Sequence, residues 1–170
     1  MSSVCTAWIG FAGSVIGAFL AGVVAFTVMW RTNRANKIIQ DRNQKNTFCA
    51  ETIKLISEYC VVVTESFYSH REVYNSLEIL RMEDLANKNY HEERLDQSRS
   101  NFETQYNKAS ILFYELDIKL RSTEGTTSIL NKLREVHRTC KDIYIDKNKF
   151  ETMTEELREY ATIFTRLHTQ

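Results

Sequence analysis

The chain of 170 residues contains no proline. It has five glycines, and Gly10, Gly13, Gly17 and Gly22 all fall within the first thirty positions, which leaves Gly125 alone in the remainder. A β-rich domain needs turn residues in quantity, so their scarcity points to long helices. Charge is missing from the same N-terminal stretch, where residues 1–30 hold no Asp, Glu, Lys or Arg. No basic residue precedes the apolar run, which argues against a cleaved signal peptide. There is no phosphate loop, dinucleotide fingerprint, nucleophile elbow or H-E-x-x-H sequence. The four cysteines, Cys5, Cys49, Cys60 and Cys140, form no C-x-x-C pair. No constellation passes the first step of an active-site reading, so neither an enzyme nor a cofactor is expected.

What the N-terminus does contain is 23 uncharged residues, from Trp8 to Trp30. At 1.5 Å per residue they span ~34 Å as a helix, enough to cross a hydrocarbon core of ~30 Å with some tilt. Trp8 and Trp30 stand at the two ends, where the amphipathic indole favours the interface. The expectation is a single transmembrane helix over 8–30, preceded by a short extracytoplasmic tail over 1–7.

The span is rich in small residues. Gly13 and Gly17 form G-x-x-x-G, and Gly10, Ser14, Gly17, Ala21 and Ala25 recur along one helix face, widened by Ala18 and Gly22. Small stripes let backbones approach closely, and packing drives association in lipid. This face is the expected packing surface for a homo-oligomer or a partner helix. The span holds no ionisable residue, the usual mark of a transport pathway, so a narrow pore lined by glycine, alanine and serine has little support.

The whole chain balances, with 22 Lys and Arg against 22 Asp and Glu, but the distribution is uneven. Residues 31–50 carry Arg31, Arg34, Lys37, Arg42 and Lys45 against Asp41, a net of +4, so the last 120 residues sum to −4. Residues 31–46 read as a solvated helical linker and as a basic patch on anionic lipid, worth ~1 kcal/mol per basic residue near the surface. The positive-inside bias places the distal domain in the cytoplasm and the N-terminus outside the cell (inner) membrane.

From residue 47 the helical period predicts an all-α domain to residue 170. Ile53, Ile56, Cys60, Val63, Phe67, His70, Tyr74 and Leu77 recur at steps of three and four, an apolar seam over more than three heptads. Asp84 to Glu93 reads as a loop or frayed end. A second helix is expected from about Glu93 to Thr123, burying Leu95, Phe102, Tyr106, Ala109, Leu112, Phe113, Leu116 and Leu120. It stops at STEGTT, where Gly125 suits a left-handed position after a helix. Thr126, Thr127 or Ser128 can cap the next helix, whose stripe is Ile129 or Leu130, Leu133, Val136, Cys140 and Tyr144. After a soft spot at Ile145 to Lys149, Asn148 and Glu151 have capping spacing. Phe150, Met153, Leu157, Tyr160, Ala161, Phe164 and Leu167 complete the pattern. Residues 128–168 read equally as one helix or two. The expected architecture is an antiparallel, coiled-coil-like bundle of three or four long helices behind the single span.

His137 and Cys140, three apart on one helix, could supply two ligands to zinc, but no further pair points to them, and no metal is expected. His91 reads as solvated. His70 falls on the apolar seam and reads first as a hydrogen-bonded core histidine and second as a titratable switch. Paired carboxylates such as Glu83 with Asp84, or Glu155 with Glu156, read as solvated helix charges. The acidic balance of the distal domain and the lack of a basic stripe argue against nucleic acid, and no small-molecule substrate is expected. Three functions are weighed. The first is a membrane-anchored interaction and oligomerisation module binding its own copies or a protein partner. The second is a membrane-active effector of toxin or antiviral-defence type, whose spans assemble to breach the bilayer. The third is an accessory subunit of a larger channel or transporter.

Overall fold

The computed structural model describes the backbone over residues 2–82 and 88–169, and side-chain environments over 14–82 and 89–167. All regular structure among the described residues is helical: α1 (Ser2–Met82), α2 (Lys88–Arg121), α3 (Thr127–Thr139) and α4 (Lys147–Thr169), with no strand. The described chain divides into two compact units between Lys45 and Asn46. Without a proline to remove a backbone donor, α1 continues for 81 residues.

In the N-terminal unit no described side chain from Ser14 to Lys45 is buried. Val15, Ile16, Phe19, Leu20, Val23, Val24 and Phe26 are all exposed. This apolar stretch near the N-terminus is a candidate membrane span by length and composition.

The second unit has one core, drawn from all four helices. Ile56, Tyr59, Cys60, Val63 and Phe67 of α1 meet Ala109, Leu116 and Leu120 of α2. Leu133 and Val136 of α3, with Phe150, Leu157 and Ala161 of α4, complete it. The Phe67 and Phe150 rings stack at 4.2 Å and 7°. Along α1 and α2 the contacts run in opposite order, with Lys119 on Glu51 and His70 on Phe102. The same reversal links α1 to α4, where Cys60 faces Thr154 and Arg71 reaches Ile145.

The α1 seam is wider than its three-four period indicated. Cys49, Thr52, Tyr59 and Ser66 are buried beside the seam, while Ile53, His70, Tyr74 and Leu77 are only partly covered. A helix touched by three others needs a broader apolar face than a two-helix seam.

Helix ends differ from expectation at the start of α2, at the cap of α3 and at the cap of α4, while the turn at Gly125 is as expected. Residues 88–93 are helical, so α2 begins before Glu93; residues 83–87 lie outside the described chain. Gly125 takes φ 79°, the left-handed conformation that glycine adopts without steric cost. Thr126 occupies the N-cap position of α3 but caps nothing with its side chain. Its hydroxyl turns back and donates to the carbonyls of Leu120 and Thr123, each at 2.7 Å, closing the end of α2.

The segment from 128 to 168 is two helices. Asp146, rather than Asn148 with Glu151, supplies the cap of α4: its Oδ1 accepts from the amides of Asn148 at 2.8 Å and Lys149 at 3.3 Å. Tyr144 falls in the connection and is 87% exposed, so it leaves the stripe predicted for it. Tyr160 and Leu167 of α4 also lie outside the core, at 40% and 71% exposure.

Candidate interaction surfaces and the polar centre of the bundle

On the predicted packing face, Ser14, Gly17, Ala18, Ala21, Gly22 and Ala25 are all exposed. A Cβ added at Gly17 or Gly22 meets nothing within 4 Å, so nothing within one chain requires glycine there. The side-chain surroundings of Gly10 and Gly13, and of Cys5, lie outside the described residues. Thr27 donates its hydroxyl to the carbonyls of Val23 and Val24, the local satisfaction that lets a hydroxyl sit on an apolar helix. Arg31, Arg34, Lys37, Arg42 and Lys45 are exposed, and the Arg34 guanidinium lies 5.7 Å from the Trp30 ring centre.

The second unit carries a polar centre that the sequence did not reveal. The His137 imidazole stacks on Phe113 at 4.1 Å and 10°, and on Tyr106 at 5.7 Å. Its Nδ1 lies 3.4 Å from the Tyr59 hydroxyl. Lys141 Nζ sits 3.7 Å from the centre of the Tyr106 ring, a cation–π contact. His70 stacks on Phe102 at 4.6 Å. Burial, and then the charge of Lys141, holds both imidazoles below their ordinary pKa. Burial pushes the Tyr59 hydroxyl well above its ordinary value.

Asp117 is the second polar feature, with a side chain only 9% exposed. Its Oδ1 accepts from Arg134 Nε at 3.1 Å and Nη2 at 2.7 Å, and its Oδ2 pairs with Arg121. Burial alone would raise this carboxyl, but the hydrogen bonds and charges of the two arginines outweigh it and hold it below the usual range. An open groove of about 400 Å³ runs beside it, bounded by Tyr114, Arg134 and Arg138.

Between α3 and α4, Lys132 bridges Glu135 and Glu156, each at 2.7 Å. Between α1 and α4, the Tyr68 hydroxyl donates to Glu151. These pairs tie helices together and leave no nucleophile beside a base.

The described cysteines are held in the core. Cys49, Cys60 and Cys140 are buried free thiols. Burial pushes Cys60 up to about 11, partly opposed by Arg158. Cys140 is likewise pushed up to about 11 by burial, against a smaller opposing pull from Lys141. A thiol in this state is a poor nucleophile and a poor ligand. Cys140 donates to the His137 carbonyl at 3.1 Å, so the two residues meet through backbone and form no ligand pair. Among the described residues, no three His, Cys, Asp or Glu side chains are grouped to hold a metal ion.

Compared with protein-family models, curated proteins and solved structures, the chain matches none.

The remaining surface feature is apolar. Ile111, Tyr114 and Ile118 of α2 are 67%, 63% and 72% exposed. Ile163 of α4 is 52% exposed and lies with Tyr160 and Leu167. Each trio follows the i, i+3, i+7 spacing of one helix face. Single exposed apolar residues are ordinary, whereas contiguous rows of them mark interaction sites.

Proposed function

We propose that this protein is a membrane-anchored interaction and oligomerisation module without catalytic activity. The carrying observation is that residues 14–30 form an uncharged apolar helix with every side chain exposed, while the distal unit buries a core of its own. A helix apolar all round and buried in nothing needs lipid or other helices to cover it. We read residues 8–30 as the span and 31–46 as a basic segment at the cytoplasmic surface of the cell membrane, with the N-terminus outside. We read the distal helices as an antiparallel bundle that binds further copies of the chain or a protein partner.

The test has two parts. The full chain should stay with membranes through alkaline carbonate extraction. In mild detergent its native mass should exceed that of one chain plus micelle. Gly17→Leu should lower that mass without changing membrane retention, because a Cβ placed there meets nothing within 4 Å in its own chain and a bulky side chain on a small-residue stripe obstructs a neighbouring helix. Release by carbonate, or a monomer with no companion, would refute the proposal.

A further inference from the structure

We infer that the groove between α2 and α3 is a binding site for a small organic phosphate. This goes beyond the anchoring and association proposed above and does not rest on them. The groove holds about 400 Å³, within the range of small-molecule sites.

The first observation is charge. Arg121, Arg134 and Arg138 line the groove against a single carboxylate, Asp117, which leaves a net of +2 in a region whose last 120 residues sum to −4. Guanidiniums held side by side repel, and Asp117 offsets only one of the three. Both of its oxygens are already engaged, Oδ1 by Arg134 and Oδ2 by Arg121. That engagement fixes two of the guanidiniums in place, and Nη1 of Arg134 stays outside the pairing.

No other acid completes the balance. Arg138 is exposed and has no carboxylate partner among the described residues. Glu135, one turn before it, pairs with Lys132 at 2.7 Å. Asp142, four positions after it, lies in the α3–α4 connection and accepts from the Tyr144 amide. Glu115 stands two positions from both Phe113 and Asp117, about half a turn round α2, and Glu124 lies in the turn beyond α2; neither lines the groove.

The second observation is an aromatic wall beside the arginines. Phe113 stacks on His137 at 4.1 Å, and Tyr114 meets Phe113 edge-on at 5.3 Å and 70°. All three line the same groove, and Tyr114 is 63% exposed, so its ring is open to a stacking or edge contact.

Together these features select the ligand. A carboxylate is satisfied by one guanidinium fork, the role that Asp117 fills on Arg134. Two uncompensated positive charges match a phosphate monoester, which carries about −1.5 to −2 at neutral pH. The wall takes the ring or apolar body attached to it. The cations and the wall come from two helices, so no local pattern marks the site.

The experiment titrates phenyl phosphate and inorganic phosphate into the full chain in mild detergent at constant ionic strength, followed by phosphorus NMR line broadening. Saturable binding is expected, tighter for phenyl phosphate than for inorganic phosphate. Arg138→Gln should weaken it about tenfold, the loss of one charge-assisted contact, while the ligand-free unfolding midpoint stays unchanged. Tyr114→Ala should remove the preference for the phenyl ester. Arg34→Gln with Lys37→Gln, in the basic segment, should change nothing. Lack of saturation, binding that survives Arg138→Gln, or an equal loss from the basic-segment variant would overturn the site. Equal affinity for the two phosphates would reduce it to a plain anion site and overturn the organic ligand. Displacement of phenyl phosphate by phosphatidic acid in the micelle, and not by soluble esters, would overturn a small soluble ligand.

Discussion

Phe150 and Tyr144 lie six positions apart, and both belong to the apolar pattern of the C-terminal segment, yet the fold treats them oppositely. Phe150 is fully buried and stacked on Phe67, whereas Tyr144 is 87% exposed. Phe150→Ala removes a ring from a closed core, a change that costs roughly 3–5 kcal/mol. For a unit of this size that corresponds to a fall in Tm of roughly 10–20 °C. Tyr144→Ala should stay within ~0.5 kcal/mol, as surface changes do. The assay is thermal unfolding of the full chain in mild detergent, followed by circular dichroism at the helix band. Phe67→Ala and the double variant complete a cycle, and the stacked pair should couple by about 0.5–1.5 kcal/mol. Equal losses from Phe150→Ala and Tyr144→Ala, or strict additivity of Phe67→Ala with Phe150→Ala, would refute the packing described here.

Acid should weaken the bundle. His70 and His137 are held below their ordinary pKa by burial and Lys141, so the unfolded chain takes up protons more readily. Stability is then full above about pH 6.5 and declines as the pH falls through that value; a denaturation series should show this, and His70→Gln with His137→Gln should flatten it. Asp117 adds a lower window: its depressed carboxyl contributes stability above about pH 4, which is lost on further acidification and should vanish in Asp117→Asn. Cys60 and Cys140, pushed up to about 11, should resist maleimide at pH 7.5 until denaturant is added; rapid labelling of the native protein would contradict their burial. Ser66 is fully buried with no partner for its hydroxyl, so Ser66→Ala should raise the unfolding midpoint by about 1 kcal/mol equivalent.

The apolar N-terminal helix was legible because length and absence of charge are one-dimensional properties. So were the helical period of the distal segments and the turn at Gly125. The break between α3 and α4 was not, because neither glycine nor proline marks it. Its signal was Asp146, a capping side chain that competes with Asp142 and Asn148 nearby. Tyr160 and Leu167 were misplaced because an apolar period records which residues share a face, not whether another helix covers it. Asp117 and Arg134 are 17 positions apart and meet only where α2 and α3 pack, so no local pattern marks the pair. The Tyr59 and His137 contact joins positions 78 residues apart, beyond the reach of any local pattern.

The core also sets a schedule. Tyr68 of α1 and its partner Glu151 of α4 are separated by 83 residues, with the Phe67 and Phe150 stack beside them. At about 5–20 residues per second of synthesis, the α1 half of that contact leaves the ribosome roughly 4–17 seconds before the α4 half exists. During that interval Tyr59, Val63 and Phe67 lack the C-terminal helix that finally seals them. A nascent chain stalled or truncated before α4 therefore leaves bare the apolar surface of α1 that Phe150 covers in the finished fold.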